Sequence, residues 1–331
     1  MKKLAIIILN WNGEELLRKL LPVITSHCVS DESDLIVADN GSSDGSVEFV
    51  RRNFPQVRVM AFPENYGFAE GYNKAMEACR DYPYALLLNS DVETTPGWWR
   101  PLLAFMEAHP EAGAVQPKIR SYHQRDMFEY AGAAGGYIDS LGYPYCRGRL
   151  FESLERDEGQ YDGAPAEVAW ASGAALLTRT ELYLRLGGLD KDFFAHMEEI
   201  DYCCRLIASG YKVYAVPDSY VFHMGGASLA QGNPKKTYLN FRNNLLLLHK
   251  NLPVREGKRL LFLRRLADTL AFGMNLLKLD FANAGAIVKA HRDFRKMRGN
   301  YTRHPERNFM KELPGAERNI VFEHFVLRRK R

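Results

Sequence analysis

Four places in this 331-residue chain hold acids or an imidazole in positions that suit chemistry. Residues 195–205 read Ala-His-Met-Glu-Glu-Ile-Asp-Tyr-Cys-Cys-Arg, with Glu198, Glu199 and Asp201 inside four positions. On a helix Glu198 and Asp201 share a face with Arg205, and Glu199 points elsewhere. An acid in such a cluster can take a proton from a hydroxyl as a general base. Acids in a first turn also complement the helix macrodipole with no chemistry at all. Asp91 closes the apolar run Leu-Leu-Leu-Asn-Ser-Asp, with Glu93 two residues on. An acid delivered to a strand's carboxyl end is where a divalent cation finds an oxygen ligand. Asp39 ends another apolar run and opens Asp-Asn-Gly-Ser-Ser-Asp-Gly, which is also good turn chemistry without any ligand. Its carboxylate can accept from a pyrimidine N–H or a ribose hydroxyl. His223 stands between Tyr-Val-Phe and Met-Gly-Gly-Ala-Ser. There an imidazole metal ligand would sit beside Gly225, Gly226 and Ser228, whose backbone N–H groups can cradle a phosphate.

The elements that must position these residues alternate. Apolar, β-branched runs predict strands over 4–9, 35–38, 57–62 and 84–88, and helical spacing predicts helices over 14–21, 46–53 and 67–80. This alternation means an α/β fold with a largely parallel sheet, whose ligands bind at the carboxyl ends of the strands. The polar clusters 10–13, 39–44 and 89–91 fall at those ends. The Gly-, Tyr- and Arg-rich stretch 116–163 has weak periodicity. Beyond it the pattern predicts a strand over 168–177, a helix over 198–209, strands over 211–216 and 220–222, and mostly helix from 234 onward.

Composition is globular, with 46% hydrophobic and 25% charged residues. The five cysteines form no CxxC pair and no zinc spacing, and read as reduced, buried thiols. The apolar start is too short for a signal peptide and reads as a buried strand. No run is long enough for a transmembrane helix. Net charge is +4, but residues 250–331 carry 20 Lys and Arg against 8 Asp and Glu, so a basic tail follows an acidic body.

Eight segments in order, NWNG (10–13), VADNGSSDGS (37–46), NYGFAEGYN (65–73), LLLNSDV (86–92), SGAALL (172–177), GGLDKDFFAHMEEIDYCCR (187–205), HMGGAS (223–228) and RNNLLLLHKN (242–251), resemble the serial motifs of bacterial family 2 glycosyltransferases, rhamnosyltransferase-like ones above all. The resemblance implies a GT-A fold, Rossmann-like, over residues 1–233, with a mostly helical, basic region over 234–331. It implies an inverting transfer from a nucleotide-diphosphate sugar, dTDP- or UDP-linked, to the hydroxyl of a lipid-linked glycan in cell-surface polysaccharide assembly. Asp39 would bind base or ribose. Asn65, Gly67 and Asn73 would shape the donor pocket, to which Asn10, Asn12 and Arg242 also belong. Asn89-Ser90-Asp91 would be a degenerate DxD motif. Asp91 and His223 would hold Mg²⁺ or Mn²⁺ against the diphosphate. Glu198-Glu199-Ile200-Asp201 matches the family's Glu-Asp-x-Asp, whose second acid is the base. Here that acid is Glu199, and its extra methylene leaves Glu198 as the alternative, while Asp201 would organise the helix.

Two rival functions meet opposing features. A sugar-phosphate nucleotidyltransferase wants a Gly-rich, basic loop after the first strand, where this chain has Asn-Trp-Asn-Gly-Glu-Glu. A non-catalytic nucleotide-sugar-binding protein would lack the base or the metal acid, and both are present. In the tail, Leu263, Leu266, Leu270, Met274 and Leu277 form one stripe, with Arg264, Arg265, Asp268 and Lys278 opposite. The stripe predicts either a helix packed on the body or a helix in a membrane interface, with basic residues toward anionic lipid. The cluster 328–331 suits both readings. A cytoplasmic protein, peripheral on the inner face of the membrane, is expected. Nucleic acid is not an expected partner, since no groove-reading motif appears.

Overall fold

The computed structural model describes residues 2–225 and 232–328. Gly226 and Ser228, and the basic residues Arg329, Lys330 and Arg331, lie outside the described residues. The chain opens with β1 (Leu4–Asn10), α1 (Glu14–Cys28), β2 (Ser33–Asp39), α2 (Ser46–Asn53), β3 (Arg58–Ala61), α3 (Gly67–Glu77) and β4 (Tyr84–Asn89). Strands β3, β2, β1 and β4 pair in that order, all parallel. The register sets Asn10 opposite Asp39 and Leu9 opposite Asn89, so the polar ends of three strands are level. The strands are apolar throughout because helices cover both faces: Ile7 and Ala38 enter one core, Ile6, Ile8 and Val37 the other. Helix α1 runs past residue 21 to Cys28 with Pro22 inside it. Leu20, Leu21, Ile24 and Cys28 extend the buried stripe, and that burial outweighs the proline's lost hydrogen bond.

Next come β5 (Val92–Glu93), α4 (Trp99–Ala108) and β6 (Ala112–Ser121). The weakly periodic stretch then forms a small four-stranded sheet of β7 (Gly136–Ile138), β8 (Pro144–Cys146), β9 (Arg149–Leu150) and β10 (Ser153–Leu154). After it follow β11 (Ala166–Val168), β12 (Ala175–Arg179), α5 (Thr180–Arg185), α6 (Glu198–Ala208) and β13 (Lys212–His223). The main sheet runs β11-β13-β6-β12-β4-β1-β2-β3, with β5 on β13. It is mixed, because β12 is antiparallel to both β4 and β6 and β11 is antiparallel to β13. The single strand expected over 168–177 is two strands in different places, divided by the loop 169–174. The two strands expected over 211–222 are one, β13, whose register against β6 slips between Val216 and Tyr220. Pro217 has no N–H for the ladder there.

The helical region is α7 (Pro234–Asn251), α8 (Val254–Leu277), α9 (Phe281–Met297) and α10 (Ile320–Phe325). Of the two readings of the α8 stripe, packing on the body is not what the structure has. Leu263, Leu266, Leu270, Met274 and Leu277 face outward, while Arg264 (2% exposed) and Asp268 (1%) are buried. Arg264 donates to Asn244 of α7 and to Asp268, and lies over the Tyr143 ring at 3.6 Å. Asp268 also meets His291 of α9 at 2.9 Å. These polar partners, supplied by α7, α9 and the small sheet, set which side of the helix turns inward.

Candidate active site

At the carboxyl end of β2, Asp39 is buried and held in place. One oxygen accepts from the Asn10 amide at 2.9 Å, the other from the backbone N–H of Ser42 at 2.9 Å. Asn12 takes a left-handed φ of 49° and bonds Ser42 and Ser43, shaping the β2–α2 loop from the next strand over. Asn65 accepts from Asn40 and from the Gly67 N–H, and Gly67 starts α3 at a φ of +78° with open space where a Cβ would stand. These residues line the strand ends together. Two other expected donor-pocket residues are fully engaged in packing. Asn73 bonds Leu189 N–H and C=O and the Tyr183 hydroxyl, tying α3 to the segment before α6. Arg242 donates to the carbonyls of Asp192 and Phe193.

Asp91 and His223 meet because β5, directly after Asp91, pairs with the end of β13, with Val92 opposite His223. His223 Nε2 is 3.2 Å from an Asp91 oxygen, and its Nδ1 is 3.2 Å from Glu129. Burial works against a charged imidazole here, and the two flanking carboxylates outweigh it, lifting the His223 pKa to about 10 in the metal-free protein, so a cation bound at the imidazole would displace a proton. Glu129 was invisible in the sequence, since it lies in the weakly periodic stretch. It arrives through its own N–H to Ile119 C=O, and its carboxylate accepts from the Ala131 N–H at 2.6 Å. Gly225 is required beside it: at a φ of +65°, an added Cβ would sit 2.7 Å from a Glu129 oxygen.

A divalent cation fits this pair. Among the described residues no cluster of three or more acids, histidines or cysteines is arranged as a closed metal cage. One carboxylate and one imidazole converge instead, leaving the remaining positions to substrate oxygens and water, as Mg²⁺ and Mn²⁺ sites on phosphates do. The third side chain, Glu129, stands behind the histidine, where an outer carboxylate orients a ligating imidazole.

The acid cluster opens α6. Phe194, His196 and Met197 all take positive φ just before it, at 65°, 68° and 72°. Backbone of this kind persists only where its surroundings over-determine it. Asn243 does so by donating to the carbonyls of Phe193, Ala195 and His196, and Arg242 holds the turn before them. The His196 ring, desolvated and near Lys236, is neutral, with its pKa lowered to about 4. Asp201 is buried among Arg205, Lys250 and Asn251. Burial opposes its charge, but these partners hold its carboxyl below the usual range. Glu198 is buried, and desolvation with the neighbouring Glu199 raises its pKa well above an ordinary carboxylate's. Glu199 is half-buried. Desolvation raises it to about 6, while backbone N–H groups of the α6 start and of Gly173 favour its charged form. The two glutamates form one coupled pair, and burial raises both carboxyls above the ordinary carboxylate range. Each also has a side-chain oxygen with no hydrogen-bond partner.

The loop 169–174 joins the two halves of the site. Gly173 faces the Glu199 side chain, and the Ala174 carbonyl accepts from the Asn89 N–H. Ser172 bonds the Ala131 carbonyl, next to the backbone that holds Glu129. One short loop thus touches the base candidate, the strand end that carries Asp91, and the support of His223.

Residues 5–154 match the family described as Glycosyl transferase family 2. The N-acetylglucosaminyl-diphospho-decaprenol L-rhamnosyltransferase of Mycobacterium tuberculosis is 28% identical over 206 residues, which cover 57% of this chain and 66% of that one, just under two thirds of its length. Among solved structures, S. aureus TarS 1–349 in complex with UDP-GlcNAc superposes with a TM-score of 0.57 at 17% identity, covering 89% of this chain and 80% of that one. The mannosyltransferase PcManGT from Pyrobaculum calidifontis, in complex with GDP-Man and Mn²⁺, gives a TM-score of 0.53 at 16% identity, covering 88% and 87%. The fold is GT-A.

Proposed function

We propose, from the match of residues 5–154 to glycosyl transferase family 2, that the chain is a member of that family and moves a sugar from a nucleotide-diphosphate sugar, dTDP- or UDP-linked, to an acceptor hydroxyl with inversion at the anomeric carbon. One observation carries the reading: Glu199, whose carboxyl is raised by burial, faces the loop that also bonds the Asp91 strand end, so a base and a metal acid flank one cleft. A carboxyl raised toward neutral pH beside such a cleft suits a general base.

Glu199 takes the acceptor hydroxyl proton as that oxygen attacks the anomeric carbon. Asn243 and Arg242 hold the strained turn that aims Glu199, and Asp201 anchors the same helix to α7. Asp39, kept by Asn10 and Ser42, receives the nucleoside. Asp91 and His223 would hold Mg²⁺ or Mn²⁺, which neutralises charge developing on the departing diphosphate. Glu129 orients the imidazole for that duty.

The relative named above for a decaprenol-linked substrate supports a lipid-linked glycan as acceptor and a role in cell-surface polysaccharide assembly. The chain would then work at the inner face of the cell membrane, held there peripherally. The test is transfer and donor hydrolysis by the full chain with UDP- and dTDP-sugars and Mn²⁺, beside Glu199→Gln and Glu198→Gln. Loss of turnover in the Glu199 variant, with nucleoside diphosphate binding retained, supports the reading. Loss confined to Glu198→Gln moves the base to that residue, and equal turnover in all three removes general-base catalysis from this cluster.

A further inference from the structure

Helix α8 carries a surface that no part of the described chain covers. Phe262, Leu266, Leu270 (71% exposed), Met274 and Leu277 (87%) project outward, and the row continues through Leu279 and Phe281 at the turn into α9. A contiguous apolar surface of this sort marks an interaction site. Its orientation is built in. The inward side of the helix is occupied by Arg264 and Asp268, bonded to Asn244 and His291. Rotating α8 to bury the leucines would strand that ion pair, so the apolar side is held outward.

The charges around the helix identify the occupant. Arg255, Lys258, Arg259 and Arg265 of the helix and Lys278 just past it are exposed, against Asp268, buried, and Glu256 and Asp280, half-buried. A second copy of this chain, packed symmetrically on the face, would bring these cations against their own counterparts. An anionic lipid surface would meet them with opposite charge and take up the leucines below its headgroups. No helix among the described residues is long and apolar enough to cross a membrane, so contact would be in the plane. We infer that the outer face of α8, with the turn into α9, docks flat on a bilayer containing anionic lipid. The assignment rests on the membrane-associated reading above and names the surface responsible.

The experiment is flotation of the full chain with vesicles of phosphatidylglycerol and phosphatidylcholine, and with phosphatidylcholine alone. A Leu270→Glu/Leu277→Glu variant is compared with the parent, and the shift in Tm on adding UDP or dTDP with Mn²⁺ is read on both. The parent should float with the anionic vesicles and lose about tenfold or more in partitioning on the neutral ones or at ~1 M salt. The double variant should lose about tenfold or more on anionic vesicles while keeping the nucleotide-induced shift. If parent and variant float equally, the docking surface lies elsewhere and the membrane reading survives without this assignment. If the parent does not float at all, both fail. If the variant floats as the parent does but light scattering shows a parent dimer turned monomer, the face belongs to a second copy and the inference is overturned.

Discussion

Helices α6 and α8 each bury an Asp and an Arg four residues apart, yet they turn opposite faces to the protein. In α6, Asp201 and Arg205 lie on the same side as the core: Tyr202, Cys203 and Leu206 are buried around them, and the pair is satisfied by α7 through Lys250 and Asn251. In α8, Arg264 and Asp268 are inside while Leu266, Leu270 and Leu277 are outside. A helical period tells which residues share a face. Which face turns inward depends on the partners waiting there, and for α8 those include Asn244, Tyr143 and His291 beside the apolar contacts of Leu260 and Leu261.

The largest expected effect falls on α6. Glu199→Gln should lower kcat by about 10²–10⁴, the usual worth of a general base, and the parent's kcat/KM should fall as pH drops through about 6, where the base becomes protonated. Stability should move the other way. A folded pKa raised above the ordinary ~4.3 favours the protonated form, so stability is lost as pH rises through about 6. Thermal melts should therefore place Glu199→Gln above the parent at pH 7.5 and level with it near pH 4. No change at Leu270 should produce either signature in solution.

Next in size, the two ion pairs can be broken separately. Asp268→Ala strands the buried Arg264 and should cost about 3–5 kcal/mol in denaturant unfolding, and Asp201→Ala, which leaves the partly exposed Arg205 its carbonyl partners, should cost less. If Asp268→Ala costs less than about 1 kcal/mol, the cation of α8 is reached by water and the outward face is not locked. The same residue type then measures the two faces directly. Leu206→Ala, in the α6 core, should cost about 2–5 kcal/mol. Leu270→Ala should stay within about 0.5 kcal/mol.

The smallest effect concerns the carboxylate behind His223. Glu129→Gln should weaken Mn²⁺-dependent UDP or dTDP binding by about 10–100-fold in calorimetry, while metal-free nucleotide affinity stays put. Asp91→Ala should abolish the metal dependence itself. Equal metal dependence in Glu129→Gln and the parent would reduce Glu129 to a packing role.

The first half of the sheet was legible because its signals are local. A strand buried on both faces must be continuously apolar, and the chain must leave it at a polar turn, so Asp39, Asn89 and Asp91 could be placed at strand ends from their neighbours alone. The acid cluster was legible as a helix start for the same reason. What lay beyond reach depends on contacts distant in sequence. Glu129 meets His223 across 94 positions of chain, through a stretch with no period to read. The hydrogen bonds of Asn73 to Leu189 and of Arg242 to Phe193 also join residues far apart in the chain, and no local pattern announces them.

By itself, then, the sequence determined the alternating α/β plan, the strand-end positions of its acids and the period of each helix, because apolar spacing and turn chemistry act over a few residues. Only the tertiary structure decided that burial raises the Glu198 and Glu199 carboxyls, that β5 brings Asp91 to His223, and that α8 turns the leucines of its stripe outward. Burial, a carboxylate's pKa and the inward face of a helix are each set by what packs against the residue, and the packing partners come from far along the chain.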